Sequence, residues 1–173
     1  MPDATGLELL ATEVRESLGD DAVTGTLFFR DAATLEIDPG RVREVIAYLR
    51  DDAGEPYDRL MSVHGVDYMP EEPRLGVLYE LLSMARAERL TVKTRVGTDD
   101  PVVPSVTKLF ATADFQEREV FDMFGVRFEG HHDLRRILMP EDYEGYPQRR
   151  DFPMGGEPVI FTFNEHQLPR WYD

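Results

Sequence analysis

Four histidines and a run of arginine pairs are the residues with chemistry to offer in this chain. His131 and His132 sit inside Glu129-Gly130-His131-His132-Asp133, and Glu129, His131 and His132 form the one set of metal-ligand types at close spacing. Neighbouring residues on an extended chain point to opposite sides, which makes adjacent histidines a poor chelate. Hydrogen bonding is therefore the expected role there, with a stand-alone metal-dependent enzyme as the alternative from a different class. Glu117/Glu119 and Glu141-Asp142 are close carboxylates, but acid pairs are common in so acidic a chain. Glu117 reads instead as the third-position acid of a helix cap opened by Asp114. Arg135-Arg136 and Arg149-Arg150, set among prolines and aromatics, read as clamps for a partner's carboxylates.

Several chemistries have no support. No Gly-x-Gly-x-x-Gly motif follows a strand, and neither a Walker loop nor a nucleophile elbow is present. With no cysteine there can be no disulfide, thiolate zinc site or cysteine-ligated iron–sulfur cluster. A net charge of −15 argues against nucleic acid as a partner and against direct adhesion to anionic lipid. The opening Met1-Pro2-Asp3-Ala4 does not read as a secretory signal. Only Lys93 and Lys108 of the 19 basic residues are lysine. Arginine suits bidentate, desolvated carboxylate pairs, although genomic base composition accounts for the same bias.

The elements that must position these groups are legible in the periodicity. Thr5-Gly6-Leu7-Glu8 predicts a capping box for a helix with Leu7, Leu10, Ala11, Val14 and Leu18 inward. Short strands are predicted at Thr26 to Arg30 and Thr34 to Ile37, joined through Asp31-Ala32-Ala33. Asp38 and Pro39 predict the start of a second helix whose stripe is Val42, Val45, Ile46 and Leu49. A strand over Leu60 to Tyr68 is followed by two alternating runs, Leu75 to Leu81 and Leu90 to Val96, with Ala85 to Glu88 as the bend. Ser105 predicts the cap of a short helix carrying Val106, Leu109 and Phe110. A last helix runs to Gly125, with Arg118 one turn from Asp122. These patterns predict an α+β domain in two layers, a mixed or antiparallel sheet with packed helices, over residues 1–125. Residues 126–173 read as an extended, proline-rich tail. Pro140, Pro147, Pro153, Pro158 and Pro169 punctuate it, yet it carries Phe128, Leu134, Ile137, Leu138, Tyr143, Tyr146, Phe152, Ile160, Phe161, Phe163 and Trp171. Such a segment needs a surface to lie on, its own domain or a partner.

The stretch Glu117-Arg118-Glu119, Asp122-Met123-Phe124-Gly125, Phe128-Glu129-Gly130-His131, Asp133-Leu134-Arg135-Arg136-Ile137-Leu138, Pro140-Glu141-Asp142, Gly145-Tyr146-Pro147 and Arg150-Asp151-Phe152-Pro153 resembles the signature of the C-type subunit of the NADH:quinone oxidoreductases, respiratory complex I. Val66-Asp67-Tyr68 and Tyr79-Glu80-Leu81-Leu82-Ser83 are similar to the same family's domain, so the resemblance covers most of the chain and is weakest before Thr24. His132, where the family usually has proline, and Gln148 and Arg150, often leucine and lysine there, are the departures. The resemblance implies a non-catalytic structural subunit of the peripheral arm. Flavin, iron–sulfur clusters and quinone would belong to partner subunits, with no cofactor here. Its partners would be the D-type subunit, which carries the quinone site, and the B-type subunit, on the cytoplasmic face of the membrane and attached only through the complex. The expected interface residues are Glu117, Arg118, Glu119, Asp122, His131, Asp133, Arg135, Arg136, Tyr146, Arg149, Arg150 and Phe152. Equivalent subunits of membrane-bound hydrogenases, deazaflavin dehydrogenases and plastoquinone oxidoreductases carry a similar signature.

Overall fold

In the computed structural model, which describes residues 3–54 and 56–153, the chain opens with helix α1 (Ala4–Leu18). Its inner stripe is Leu7, Ala11 and Val14, as the spacing predicts. The cap differs. Asp3 Oδ1 accepts the Gly6 amide at 2.7 Å, so the helix starts earlier than the Thr5 box requires and Thr5 falls inside the first turn. Glu8 is thereby free to accept from the Thr26 hydroxyl of the next element.

Strands β1 (Val23–Phe29) and β2 (Ala32–Ile37) form a tight hairpin. Its two turn residues, Arg30 and Asp31, both take positive φ (49° and 62°), the mirror-image turn whose twist matches paired strands. Asp38 caps a single 3-10 turn (Pro39–Arg41), which leads into helix α2 (Val42–Asp51) with its four predicted stripe residues buried. Strands β3 (Arg59–Asp67), β4 (Leu75–Ser83) and β5 (Glu88–Val96) then run as an antiparallel meander. The five-stranded order is β1-β2-β5-β4-β3, with β2 and β5 parallel, so the sheet is mixed. The fold is α+β in two layers.

The helices cover one face. Leu35, Ile37, Leu75, Val77, Tyr79, Leu81, Leu90 and Val92 point into it and are all buried. The other face carries Glu36, Thr91, Lys93 and Arg95, so the alternation that predicted the strands also separates core from surface. The predicted helix after Ser105 is one turn only, closed by the Leu109 and Phe110 amides on the Val106 carbonyl. Ser105 does act as its cap-like acceptor, taking the Thr107 amide on Oγ.

Beyond it come β6 (Val102–Pro104), helix α3 (Ala113–Phe124) and β7 (Arg127–Glu129), with β6 and β7 paired in parallel. Val126 and Phe128 are buried with the main core, so the core runs past the boundary expected at Gly125. The tail positions Pro158, Ile160, Phe161, Phe163, Pro169 and Trp171 lie outside the described residues, as does the Met1-Pro2 start. Among the described residues no helix is long and apolar enough to cross a membrane.

Helix α3 lies against β3, and the approach is set by a missing side chain. A Cβ on Gly65 would stand 2.2 Å from the Phe124 ring, so only glycine lets the helix settle at this distance. Gly65→Ala should force the ring aside and destabilise the chain by about 1–3 kcal/mol. Urea unfolding measures this, and a wild-type midpoint would show that the contact can relax.

Candidate docking site

Helix α3 carries three buried charged residues, Glu117, Arg118 and Asp122, and two of them face the same loop. Asp122 Oδ2 accepts three successive amides, Ile137 at 3.0 Å, Leu138 at 2.7 Å and Met139 at 2.8 Å. Its Oδ1 takes Arg136 Nη1 at 2.6 Å. Burial works against that charge, but the Met139 amide, the Arg136 guanidinium and the Leu138 and Ile137 amides together hold the carboxyl below its ordinary range. Arg118 does the complementary work. It donates to the carbonyls of Arg135 (3.2 Å) and Arg136 (3.1 Å), so one helix face satisfies both donors and acceptors of a loop that has no ladder of its own. The predicted neighbours Arg118 and Asp122 thus act on the loop in parallel.

A second set of contacts folds the chain back further. Arg149 Nε donates to the Phe124 carbonyl at 2.7 Å, at the end of α3. Tyr146 is approached by the guanidiniums of Arg149 and Arg136, whose central carbons stand 4.5 Å and 5.5 Å from its ring centre. Gly125 is left-handed (φ 78°), and a Cβ there would meet the Tyr146 ring at 2.5 Å. At the sheet end, Arg74 bridges Asp67 (2.6 Å) and Asp151 (2.7 Å), while Asp67 also accepts the Arg150 amide at 2.7 Å. Arg74 beside it, helped by the Arg150 and Met69 amides, holds the Asp67 carboxyl far below the usual range. Phe152 stacks on Tyr143 at 6.2 Å.

The expected clamp residues therefore divide. Glu119, Asp133, Arg135 and Arg150 are exposed. Arg136 does not await a partner's acid, because Asp122 of its own chain fills that place and Gly145 takes its other nitrogen at 2.9 Å. Arg149 is likewise engaged within the chain, and Arg150 reaches the Met69 carbonyl at 2.7 Å. The physical reason is desolvation: guanidiniums that close to the domain find fixed carboxylate and carbonyl acceptors, which outcompete water. Sequence reasoning missed the bridge that Arg74 makes between Asp67 and Asp151. Arg74 lies 7 residues from the first and 77 from the second, beyond any local pattern. It missed Gly65 altogether, whose only signal was a glycine inside a strand pattern.

Glu117 is not a cap. The helix starts at Ala113, and its side chain turns inward to accept the Val106 amide at 2.7 Å. The histidines also differ from expectation. Their rings stack at 5.2 Å, and the acid they gather around is Asp114 rather than Glu129. His131 Nδ1 accepts the Asp133 amide at 3.1 Å, which places the ring proton on Nε2, 3.2 Å from the Asp114 carbonyl. Both nitrogens of His131 are engaged, so a metal would have to displace that proton while Nδ1 stays occupied. The arrangement fits a loop fastener better than a metal centre.

A family described as "Respiratory-chain NADH dehydrogenase, 30 Kd subunit" matches residues 35–158. The chain belongs to that family. The C-type subunit of the NADH-quinone oxidoreductase of Roseiflexus castenholzii is 47% identical over 148 residues, covering 86% of this chain and 85% of that protein. The protein of the same name from a second Roseiflexus species is 42% identical over 97% of this chain and 94% of its own. The solved trypsin-resistant fragment (1-134) of Nqo5 is 31% identical with a TM-score of 0.62, over 74% of this chain and 98% of the fragment. A chain of an archaeal membrane-bound sulfane sulfur reductase shares the fold, with a TM-score of 0.69 at 22% identity over 96% of this chain and 94% of that one.

In this family member the loop over 136–139 should depend on one carboxylate. Asp122→Ala should lower the local opening free energy of the loop by about 3–5 kcal/mol, since it removes one partner of a buried pair. Hydrogen exchange at the Ile137, Leu138 and Met139 amides should accelerate accordingly, with the sheet amides little changed. The same linkage gives a pH sign. The Asp122 carboxyl is held below its ordinary 3.8, so its contribution is present above that value and lost as the pH falls below it. Unchanged exchange at these three amides would remove Asp122 from this role.

Proposed function

We propose that this chain is a non-catalytic structural subunit of an NADH:quinone oxidoreductase, whose work is to present the Asp122-anchored loop to a neighbouring subunit. The observation that carries the reading is that loop, in a chain of this family. Its backbone is locked from within by Arg118 and Asp122, while side chains around it are left outward. Leu138 is 61% exposed and Phe115, under the Arg118 guanidinium, is 62% exposed. Glu119, Asp133 and Arg135 add charge at its border. Apolar anchors ringed by charge on a preorganised backbone are what a protein interface uses.

On this reading the partners are the D-type subunit with its quinone site and the B-type subunit. The chain associates with the membrane peripherally, at its cytoplasmic face and only through the complex. Flavin, iron–sulfur clusters and quinone reside in neighbours, and the lack of cysteine supports that division. The name of the Nqo5 fragment, trypsin-resistant, supports a domain that stands without its tail. A chain cut after Gly130 keeps β7 and should still melt cooperatively.

Phe115→Asp and Leu138→Asp should each leave the melting temperature of the isolated chain near wild type, because exposed substitutions shift stability by about 0.5 kcal/mol or less. Each should lower recovery of the assembled complex by about tenfold or more, as loss of an interface anchor does. Wild-type assembly in both variants would place the docking surface elsewhere. The purified chain should be colourless and inactive with NADH and quinone, and a stoichiometric flavin or iron–sulfur absorbance would overturn the non-catalytic assignment.

A further inference from the structure

Glu117 lies on the inner side of α3 with its side chain removed from solvent. One carboxyl oxygen accepts the Val106 amide; among the described residues the other, Oε2, has no hydrogen bond, although the Ser105 hydroxyl, engaged with Thr107 at 2.8 Å, is near enough to pull on the carboxylate. The hydroxyl of Tyr79, buried in the middle of β4, also has no hydrogen bond among the described residues and lies close enough to feel the Glu117 charge. The charged groups around the site do not cancel an anion there. Arg43, which faces it from α2, directs its guanidinium to the carbonyls of Ser105 (2.9 Å) and Glu129 (2.9 Å). Asp114, one turn earlier on α3, adds a like charge, and His131 from the segment after β7 is turned to Asp114. Arg118, next in sequence, points to the loop carbonyls. An ionised carboxylate with one unfilled oxygen in such surroundings is costly, and keeping its proton is the lower-energy response.

We propose that Glu117 keeps its proton in the folded protein through the mildly acidic range, where an exposed glutamate has lost it, and that its release weakens the seat of α3 on the sheet. The helix that loosens is the one carrying Arg118 and Asp122, so the stability of the docking platform falls as pH rises. Burial pushes the Glu117 carboxyl up to about 7, against the pull of the Ser105 hydroxyl, the Val106 amide and Arg43. Between the ordinary 4.5 and about 7, the folded chain keeps a proton that the unfolded chain has released. The contribution is therefore fully present below 4.5, is lost progressively as the pH climbs, and is gone above about 7. One proton of difference makes the unfolding equilibrium constant rise about tenfold per pH unit across that window. Asp67, Asp122 and Asp151, all held below their ordinary value, act in the opposite direction and at lower pH, so they do not mask it.

Glu117→Gln keeps the shape and the acceptor for Val106 while fixing the uncharged state. Urea unfolding of the full chain from about pH 5 to about pH 8 should show the wild type losing about tenfold or more in its folding constant relative to the variant. Parallel pH profiles for the two proteins would overturn the proposal. If the variant does not fold, the carbon-13 shift of the Glu117 carboxyl in the wild-type full chain decides. A titration near neutrality supports the stored proton, and one at the ordinary glutamate value overturns it.

Discussion

The Asp122 carboxylate is the interaction on which the second half of this structure depends. Three consecutive amides and a guanidinium converge on its two oxygens, at 2.6–3.0 Å. Without them the segment after β7 would have to order irregular backbone at a cost of about 1–2 kcal/mol per residue with no ladder to offset it. Because the acceptor sits on a rigid helix, the loop is fixed in relation to the sheet rather than merely tethered. Gly65 belongs to the same constraint, since it sets how closely that helix approaches β3 and hence where the carboxylate stands.

Asp122 and Glu117 show how little residue type settles. Both are acids on one helix, and both are buried. Asp122 meets three amides and a guanidinium and is held ionised, whereas Glu117 meets one amide and the pull of the Ser105 hydroxyl and, among the described residues, has no hydrogen bond on its other oxygen. Their carboxyls are displaced in opposite directions by the balance of hydrogen bonds against desolvation. One anchors the loop. The other couples the same helix to pH.

This division also assigns the arginines. Those nearest the domain, Arg118, Arg136 and Arg149, satisfy carbonyls and carboxylates of their own chain and give the loop its shape. Arg135 is left 58% exposed at the side chain and pairs with the neighbouring Asp133 at 3.0 Å. A surface built this way offers a partner fixed geometry, so association need not order the loop a second time.

The sequence by itself determined the two-layer α+β class, the inward stripes of α1 and α2 and the alternating strands, because those follow from periods of two and 3.6 that a chain carries locally. It also determined family membership, since the signature from Glu117 to Pro153 is a matter of residue identity and spacing. Cap positions were less legible, because Asp3 and Thr5 both suit the role and one backbone choice decides between them. Only the tertiary structure decided which charges pair. Arg136 and Asp122 are 14 residues apart, and Arg74 and Asp151 are 77, so nothing in a local pattern marks them as partners. It alone turned Glu117 inward and put Asp114, not Glu129, beside His131. Burial and long-range hydrogen bonding are properties of the folded arrangement, and at this site they set the roles that residue type leaves open.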